Sequence, residues 1–238
     1  MYIQGFIVPC PESEKQAYKD IAEKFWDIVK DYGAQEHVEA WEADVSDGTH
    51  TDFRKAVKLA DGEKVVFSWV IWPDKATADA GHGKMMADER MSQFGDDMPF
   101  DGKRMIFGGF ESIVNEGKPT GGYVDGIIVP VPNSNRDAYI EMAARVAPVF
   151  IEHGAVRDLE AWGVDVPVGE VTSFPRSVEA QEDESVVFSF IEWPDEQTRN
   201  EGWKKVMEDE RMRPGDDMPF DGKRMFWGGF VPLVSKGR

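Results

Sequence analysis

The sequence predicts an α+β protein made of two copies of one βαββαβ module, packed sheet to sheet within a single chain. Residues 96–105 (DDMPFDGKRM) recur without change at residues 216–225. Around them the two halves match along the chain at an offset of 121 residues, which falls to 120 after Met91. Both halves also show the same order of alternating strand segments and amphipathic helix segments.

The repeat sets the predicted domain boundaries. The first module takes residues 1–115, a polar Gly/Pro linker takes residues 116–121, and the second module takes residues 122–238. Several aromatic, acidic and glycine positions are shared by both copies: Tyr18 and Tyr139, Gly33 and Gly154, Glu39 and Glu160, Trp41 and Trp162, and Phe110 and Phe230. The two modules are therefore expected to share one topology.

Each module opens with a strand and a helix. Residues 2–8 alternate between the two faces of a strand, and Pro9 ends the run. Ser13 and Gln16 have the spacing of a capping box, in which side chains satisfy the free backbone N–H groups of a helix start. Apolar residues then follow one helical face up to Gly33, which supplies a left-handed stop.

The second copy repeats this helix over residues 134–154, where Pro148 is expected to kink or weaken it. A second strand follows the helix in each copy, at residues 36–45 and 157–166. An Asp-Gly turn after the first of these strands separates it from the next segment.

The middle of each module is predicted to be extended. Residues 53–57 and 174–178 are interpreted as short extended segments. Residues 65–72 and 186–193 are rich in Val, Phe and Trp and form the strongest β run of each half. Pro73 ends the first of these runs, so a new element must begin there.

The last helix and the closing strand complete each module. Asp74 and Asp195 have the position of N-caps for a second helix. Residues 96–102 are rich in turn formers, and residues 104–114 form the closing strand. The double glycine that starts with Gly108 predicts a bulge or a close approach of another group to the backbone.

The resulting βαββαβ order is that of a ferredoxin-like unit, which lays both helices on one face of a four-stranded antiparallel sheet. The opposite sheet face is apolar and must be covered. A second sheet of the same kind, tethered by a short linker, can cover it. The sequence therefore predicts an intrachain pseudo-dimer.

The charge of the chain limits its partners. A net charge of −18 and a pI near 4.6 exclude the basic surface that nucleic-acid binding requires, and they disfavour docking on an anionic membrane. Cys10 is the single cysteine, so no intrachain disulfide can form. With no long apolar run, we expect a soluble, cytoplasmic protein.

The motifs of the second copy resemble the DUF1428 family of uncharacterised proteins. The resemblance rests on HGA at residues 153–155, TSFPRSV at 172–178, VVFSF at 186–190, and PFDGKRM at 219–225 followed by GGF. It implies the dimeric α/β-barrel fold, here as a fused tandem pair that replaces a homodimer. That superfamily includes monooxygenases, haem-degrading enzymes, chlorite dismutase, muconolactone isomerase and stress-response barrels, so the fold does not imply one chemistry.

The histidines argue against a metal or a cofactor. His37, His50, His82 and His153 have the counterparts Asp158, Val171, Trp203 and Tyr32. A metal or haem site inherited by both halves would keep its imidazoles, so we expect no metal and no cofactor. His153 lies at a helix end, where a cation interacts well with the helix dipole. Acid–base chemistry is the alternative, and it would belong to the second half.

Two arginines are candidates for ligand binding. Arg104 and Arg224 follow an Asp-Gly turn in both copies. We favour ion pairs that hold this turn, because the turn itself explains the aspartate. The alternative is an anion clamp, since a guanidinium offers a rigid fork to carboxylate oxygens.

Tryptophans and carboxylates give a second set of candidates. Trp41 and Trp162 recur on the second strand, where aromatic residues usually belong to the core. They could also form the walls of a pocket for a planar ligand. Glu160, near Trp162 in sequence, would then be a candidate base whose pKa is raised by burial.

Two functions are consistent with these residues. The favoured one is a binding or stress-associated barrel without assigned catalysis. The alternative is a cofactor-independent oxygenase- or isomerase-like enzyme, with a pocket between sheet and helices that is lined by the repeated Trp and Arg residues. A small-molecule ligand and further self-association of the fused pair are possible in either case.

Overall fold

The computed structural model describes residues 1–95, 98–213 and 218–238. The elements of the first half are β1 (Tyr2–Pro11), α1 (Lys15–Val29), β2 (Glu36–Asp44), α2 (Phe53–Ala56), β3 (Glu63–Trp72), α3 (Lys75–Met85) and β4 (Ile106–Gly117). Those of the second half are β5 (Tyr123–Pro132), α4 (Arg136–Glu152), β6 (Arg157–Asp165), α5 (Phe174–Ser177), β7 (Glu184–Trp193), α6 (Glu196–Glu208) and β8 (Phe226–Lys236). The two halves thus have the same order of elements.

The eight strands close into one antiparallel barrel in the order β1-β3-β2-β8-β5-β7-β6-β4. Each half contributes four neighbouring strands, in the order expected of a ferredoxin-like sheet. The halves are joined by two pairings, β2 with β8 and β4 with β6. The prediction of an intrachain pseudo-dimer is confirmed. The two sheets pair along their edge strands, and their apolar faces pack against each other inside the barrel.

Aromatic side chains from both halves fill the inside of the barrel. Phe67 and its equivalent Phe188 stack at 4.7 Å between ring centroids, with 4° between their planes. Trp69 and Phe190 stack at 4.0 Å. A Cβ atom at Gly5 would lie 2.7 Å from the Phe188 ring, so the glycine makes room for the central stack. The barrel interior is a packed core and not a ligand channel.

Local signals at helix ends are confirmed in both halves. The Asp74 carboxylate accepts a hydrogen bond from the backbone N–H of Thr77 at 2.7 Å, as an N-cap does. Gly33 has a φ of 105° at the end of the first helix region.

The predicted close approach to the double glycine also occurs. A Cβ atom at Gly109 would lie 1.8 Å from the Tyr2 hydroxyl.

Two local predictions are wrong. The capping box at Ser13 does not form, because a 3₁₀ turn (Glu12–Glu14) leads into α1 and the backbone N–H of Lys15 bonds within that turn. Residues 53–57 and 174–178 are not extended, since one-turn helices form there. Asp52 caps the first of these helices by accepting from the N–H of Lys55 at 2.6 Å.

Three further expectations concern Pro148, the turn-rich segment and membrane-spanning helices. The helix α4 continues through Pro148 to Glu152. The turn-rich segment 96–102 and its copy lie partly outside the described residues. Within the described ranges, no helix has the length and apolar character needed to cross a membrane.

Candidate functional site

The outer face of each half-sheet is covered by helices, and a cavity lies between the sheet and the first long helix in both halves. The cavity of the first half has a volume of about 230 Å³. Its walls are mostly apolar, with Phe6, Val8, Ile21, Ala22, Phe25, Val70, Met91, Phe94, Met98, Phe100 and Met105. Such a concave apolar space with few polar groups is the usual form of a small-molecule site.

Three polar side chains form a hydrogen-bonded chain on the floor of the first cavity. The Tyr18 hydroxyl donates to Glu39 Oε2 at 2.6 Å. His37 Nε2 lies 2.8 Å from Glu39 Oε1. Strand alternation explains the arrangement, because Val38 and Ala40 point into the barrel core while residues 37 and 39 point outward. The helix α1 supplies Tyr18 from above the sheet.

The hydrogen-bonded side chains Tyr18, Glu39 and His37 are buried. His37 is 1% exposed and packs against Phe25 and Trp26, with a centroid distance of 6.4 Å to the Trp26 ring. Burial and the neighbouring carboxylate of Glu39 raise the pKa of Tyr18 well above its usual value. Tyr18 therefore stays protonated and donates to Glu39, which leaves the carboxylate as the acceptor for any further donor.

The cavity of the second half has a volume of about 510 Å³. Ile127 and Val146 line it at the positions that Phe6 and Phe25 hold in the first half. The lining comprises Ile127, Val129, Ala138, Tyr139, Glu141, Met142, Arg145, Val146, Glu160, Arg211, Met212, Arg213, Met218, Pro219, Phe220 and Met225. The second cavity is thus less aromatic and more charged than the first.

Its floor keeps the tyrosine and the glutamate but loses the histidine. The Tyr139 hydroxyl donates to Glu160 Oε2 at 2.8 Å. Asp158 occupies the position of His37, is 3% exposed and lies beside Glu160 on the same strand face. Burial raises the pKa of Glu160 to about 7. Burial and the Glu160 charge raise the pKa of Asp158 well above its usual range.

The candidate arginines lie in ion pairs. Arg104 Nη2 lies 2.7 Å from Glu63 Oε1 and Nε lies 2.8 Å from Asp101 Oδ2. Arg224 makes the same pairs with Glu184 at 2.7 Å and with Asp221 at 2.9 Å. Each guanidinium also donates to a backbone carbonyl at a residue with φ of 50°, Lys58 or Glu179. These contacts tie the turn to the barrel in both halves.

The other candidates are dispersed. Trp41 is buried, with the Lys15 ammonium 4.8 Å from its ring centroid, and Trp162 has Arg136 at 5.5 Å. His153 lies at the end of α4, where its Nε2 is 2.9 Å from Asp209 Oδ2. Both cavities, as far as the described residues define them, are lined by other side chains. Of the sequence candidates, Glu160 alone lines one of these two cavities.

Sequence reasoning missed Tyr18, Tyr139 and His37 as site residues. The repeat itself could have identified the tyrosines as site residues. Each copy carries one at the same position of its amphipathic helix, 21 residues before the shared glutamate. His37 is not repeated, so comparison of the two copies gives no signal for it. Its replacement by Asp158 is what makes the two floors different. Within the described ranges, no group of three or more potential ligands is placed to hold a metal ion.

Comparison with known proteins gives the family. The profile of a family described as "Protein of unknown function (DUF1428)" matches residues 1–102 and again residues 122–222. The chain belongs to the DUF1428 family. The two matches show that this member is a tandem duplication. The "Uncharacterized protein YbaA" of Escherichia coli K12 is 53% identical over 115 residues, which is 48% of this chain and 98% of YbaA. One module of this DUF1428 chain therefore corresponds to nearly the full length of YbaA.

Solved structures share the barrel. A "Putative monooxygenase" from Fusobacterium nucleatum has a TM-score of 0.60 at 11% identity, covering 99% of this chain and 93% of its own. A "putative monooxygenase" from Lactobacillus acidophilus NCFM has a TM-score of 0.60 at 10% identity, covering 98% and 94%. At these identities the likeness shows that this DUF1428 protein has the dimeric α/β-barrel fold, without an assigned reaction.

Proposed function

We propose that this protein is a small-molecule-binding barrel whose ligand site is the cavity of the first half. The observation that supports the proposal is the hydrogen-bonded chain of Tyr18, Glu39 and His37 on the floor of an apolar cavity. Buried polar groups are costly unless they are paired, and a void beside them lowers stability further. A ligand would fill the void and use the remaining acceptor capacity of Glu39.

The cavity indicates the class of ligand. Four phenylalanines contribute to its walls, Phe6, Phe25, Phe94 and Phe100. Flat aromatic walls favour a planar or aromatic molecule. The floor presents a carboxylate acceptor, so the ligand needs one hydrogen-bond donor, such as a phenol or enol hydroxyl, at its buried end. We therefore expect a compact aromatic molecule with a single acidic hydroxyl.

Binding is tested by thermal shift with a panel of planar phenols and enols, together with native mass spectrometry of the gently purified protein. Ala22 lies on the cavity wall, and Ala22→Leu should place methyl groups in the space that the ligand needs. A matched control, Ala143→Leu, changes the equivalent helix position of the second half. A ligand-induced rise in Tm that is lost in the first variant and kept in the second supports the proposal, because a ligand stabilises the state it binds. If no molecule raises Tm, or if both variants keep the rise, the first cavity is not the site.

Acid–base catalysis at the same floor is the second candidate. The specific observation is that Glu39 lies between a phenol and an imidazole at 2.6 Å and 2.8 Å, which is hydrogen-bonding distance for proton transfer. In that case Glu39 takes the proton of the bound hydroxyl or of an adjacent carbon. The variant Glu39→Gln separates the two functions. It should retain much of the ligand affinity if the protein only binds, and it should abolish turnover of a bound ligand if Glu39 is a base.

A further inference from the structure

Two carboxylates of the second half, the buried Asp158 and the partly buried Glu160, lie together, and within the described ranges neither has an ion pair. Glu160 lines the second cavity, and Asp158 lies two residues earlier on the same face of β6. Asp158 is 3% exposed, and its Oδ1 has no hydrogen-bond partner in the part of the chain that the structure describes. Most buried polar atoms in proteins are paired, so the orphaned oxygen of Asp158, on the same strand face as the cavity-lining Glu160, requires an explanation.

The surrounding charges make the pair more unusual. Glu116 on β4 lies opposite Asp158 in the strand register, which adds a third carboxylate nearby. The equivalent pair is His37 on β2 and Lys236 on β8, which also lie opposite each other. The same place in the fold therefore carries an imidazole and an ammonium group beside Glu39, and two carboxylates beside Glu160.

Two of the three arginines that line the second cavity pair with other residues. Arg211 pairs with Asp209 at 2.8 Å and with Glu152 at 2.6 Å. Arg213 lies 3.3 Å from Glu210. Arg145 is exposed on α4, where water screens its charge. Among the described residues no ion pair reaches either Asp158 or Glu160, although buried carboxylates in proteins are normally matched by a cation or a proton.

We propose that the second cavity is a separate binding site for an amphipathic ammonium compound, with the cation held by Asp158 and Glu160 and the apolar body in the cavity above them. The four methionines of the lining, Met142, Met212, Met218 and Met225, suit an apolar body of variable shape, because the thioether side chain is flexible and polarisable. The cavity volume of about 510 Å³ leaves room for such a body.

A proton takes the place of the cation when the site is empty. Burial raises the pKa of both carboxyl groups, that of Glu160 to about 7, so the empty pair binds protons at a higher pH than exposed carboxyl groups do. The ligand enters as an ammonium ion and keeps its own proton. Its positive charge favours the ionised carboxylates, so carboxyl protons leave to the solvent. Binding at neutral pH is therefore coupled to proton release and weakens as the pH falls.

The test uses the full chain and three matched probes: 2-phenylethylamine, 2-phenylethanol and 3-phenylpropionate. Calorimetric titration at pH 7 in two buffers of different ionisation enthalpy measures affinity and proton release together. We expect the amine to bind at least tenfold more tightly than the alcohol and the carboxylate, with release of protons. Asp158→Asn and Glu160→Gln are close in shape to the native residues and should each reduce amine affinity at least tenfold.

The equivalent variants of the first half serve as controls. Glu39→Gln and Ala22→Leu can remove amine binding at the first cavity only. Amine affinity that survives both of these variants and is lost in Asp158→Asn belongs to the second cavity, so a failure of the first site and a failure of this site give different results. The proposal is overturned if the amine does not bind, if the alcohol binds as tightly, or if Asp158→Asn and Glu160→Gln together have no effect. Preferential binding of 3-phenylpropionate would also overturn it, and would point to Arg145 at the cavity wall.

Discussion

At the start of β2 in the first half stands Glu36, whereas the equivalent position at the start of β6 in the second half holds Arg157. The two side chains meet at one end of the barrel, with 2.9 Å between Arg157 Nη1 and Glu36 Oε2. Arg238 bonds to Glu36 and to Glu192, and these four side chains are nearly fully buried. The Trp69 indole N–H donates to Glu36 at 2.7 Å.

This contrast shows what fusion allows. In a symmetric homodimer, both copies of a position carry the same residue, so an acid and a base cannot occupy equivalent places. In the fused chain Glu36 and Arg157 are free to differ, and the difference becomes an attraction across the pseudo-twofold axis. The cavity floors differ in the same way, with His37 in one half and Asp158 in the other. Symmetry is kept in the Phe67–Phe188 stack of the barrel core and in the turn arginines, and it is lost at these polar sites.

The largest expected effect comes from the barrel-end cluster. Arg157→Met removes one of the two guanidinium groups of this cluster and leaves the buried Glu36 and Glu192 to share Arg238 alone. The uncompensated buried charge should lower the free energy of unfolding by about 3–5 kcal/mol. Urea unfolding followed by tryptophan fluorescence measures the loss. The charge exchange Glu36→Arg with Arg157→Glu should recover part of it, because the pair is restored in the opposite sense. A loss below about 1 kcal/mol in the single variant would show that the cluster does not join the halves.

The next effect concerns pH and the second cavity. Glu160 keeps its proton up to about pH 7 when folded, against an ordinary pKa of 4.5. Between these values the folded chain binds more protons than the unfolded chain, so stability falls as the pH rises through this window. The loss due to Glu160 should reach up to about 3 kcal/mol, and Glu160→Gln should remove it. Unfolding curves from pH 4 to pH 8 test this, with Glu39→Gln as the equivalent variant of the first half. If wild type and Glu160→Gln have identical pH profiles of stability, the carboxylates of the second cavity floor do not differ in titration from Glu39 in the first.

A smaller and symmetric effect is expected at the turn arginines. Arg104→Ala and Arg224→Ala each break two partly buried ion pairs and a hydrogen bond to a backbone carbonyl. Each should lower stability by about 1–3 kcal/mol, and by similar amounts, because the contacts are the same in both halves. Thermal unfolding of the two variants checks this. A large difference between them would show that the halves have also diverged at this turn.

The smallest effect tests the helix caps. Asp74→Ala and Asp195→Ala should each cost about 1 kcal/mol, because each carboxylate accepts a backbone hydrogen bond at 2.7 Å. Ser13→Ala and Ser134→Ala are the controls, since neither serine caps its helix. Chemical denaturation should place these controls within about 0.5 kcal/mol of wild type. A cost at Ser13 equal to that at Asp74 would mean that the capping box forms in solution.

The one-turn helices show why part of the fold was not predictable. Phe53, Ala56 and Val57 are buried at helical spacing, but a single turn is too short for periodicity to separate a helix from a strand. The side-chain cap from Asp52 decides the outcome locally. The longer helices span three or more turns, so their apolar faces were readable from the sequence.

The candidate site was predictable in part. Glu160 was chosen because it is shared and acidic, and it lies in a cavity between helix and sheet, where one was expected. Trp41 and Arg104 were chosen by the same reasoning and have other contacts. Residue type and repetition do not tell which side of a strand or turn faces a cavity. That depends on the helix packed above it.

By itself the sequence determined that two equal modules exist, where their strands and longer helices lie, and that their apolar faces cover each other. These features depend on local spacing and on the burial of apolar surface, which are visible along the chain. The tertiary structure decided which unmatched residues meet. Glu36 reaches Arg157, 121 residues away, only when the barrel closes. The charges of Asp158 and Glu160 likewise become costly only once folding removes them from water, so the differences between the halves follow from packing.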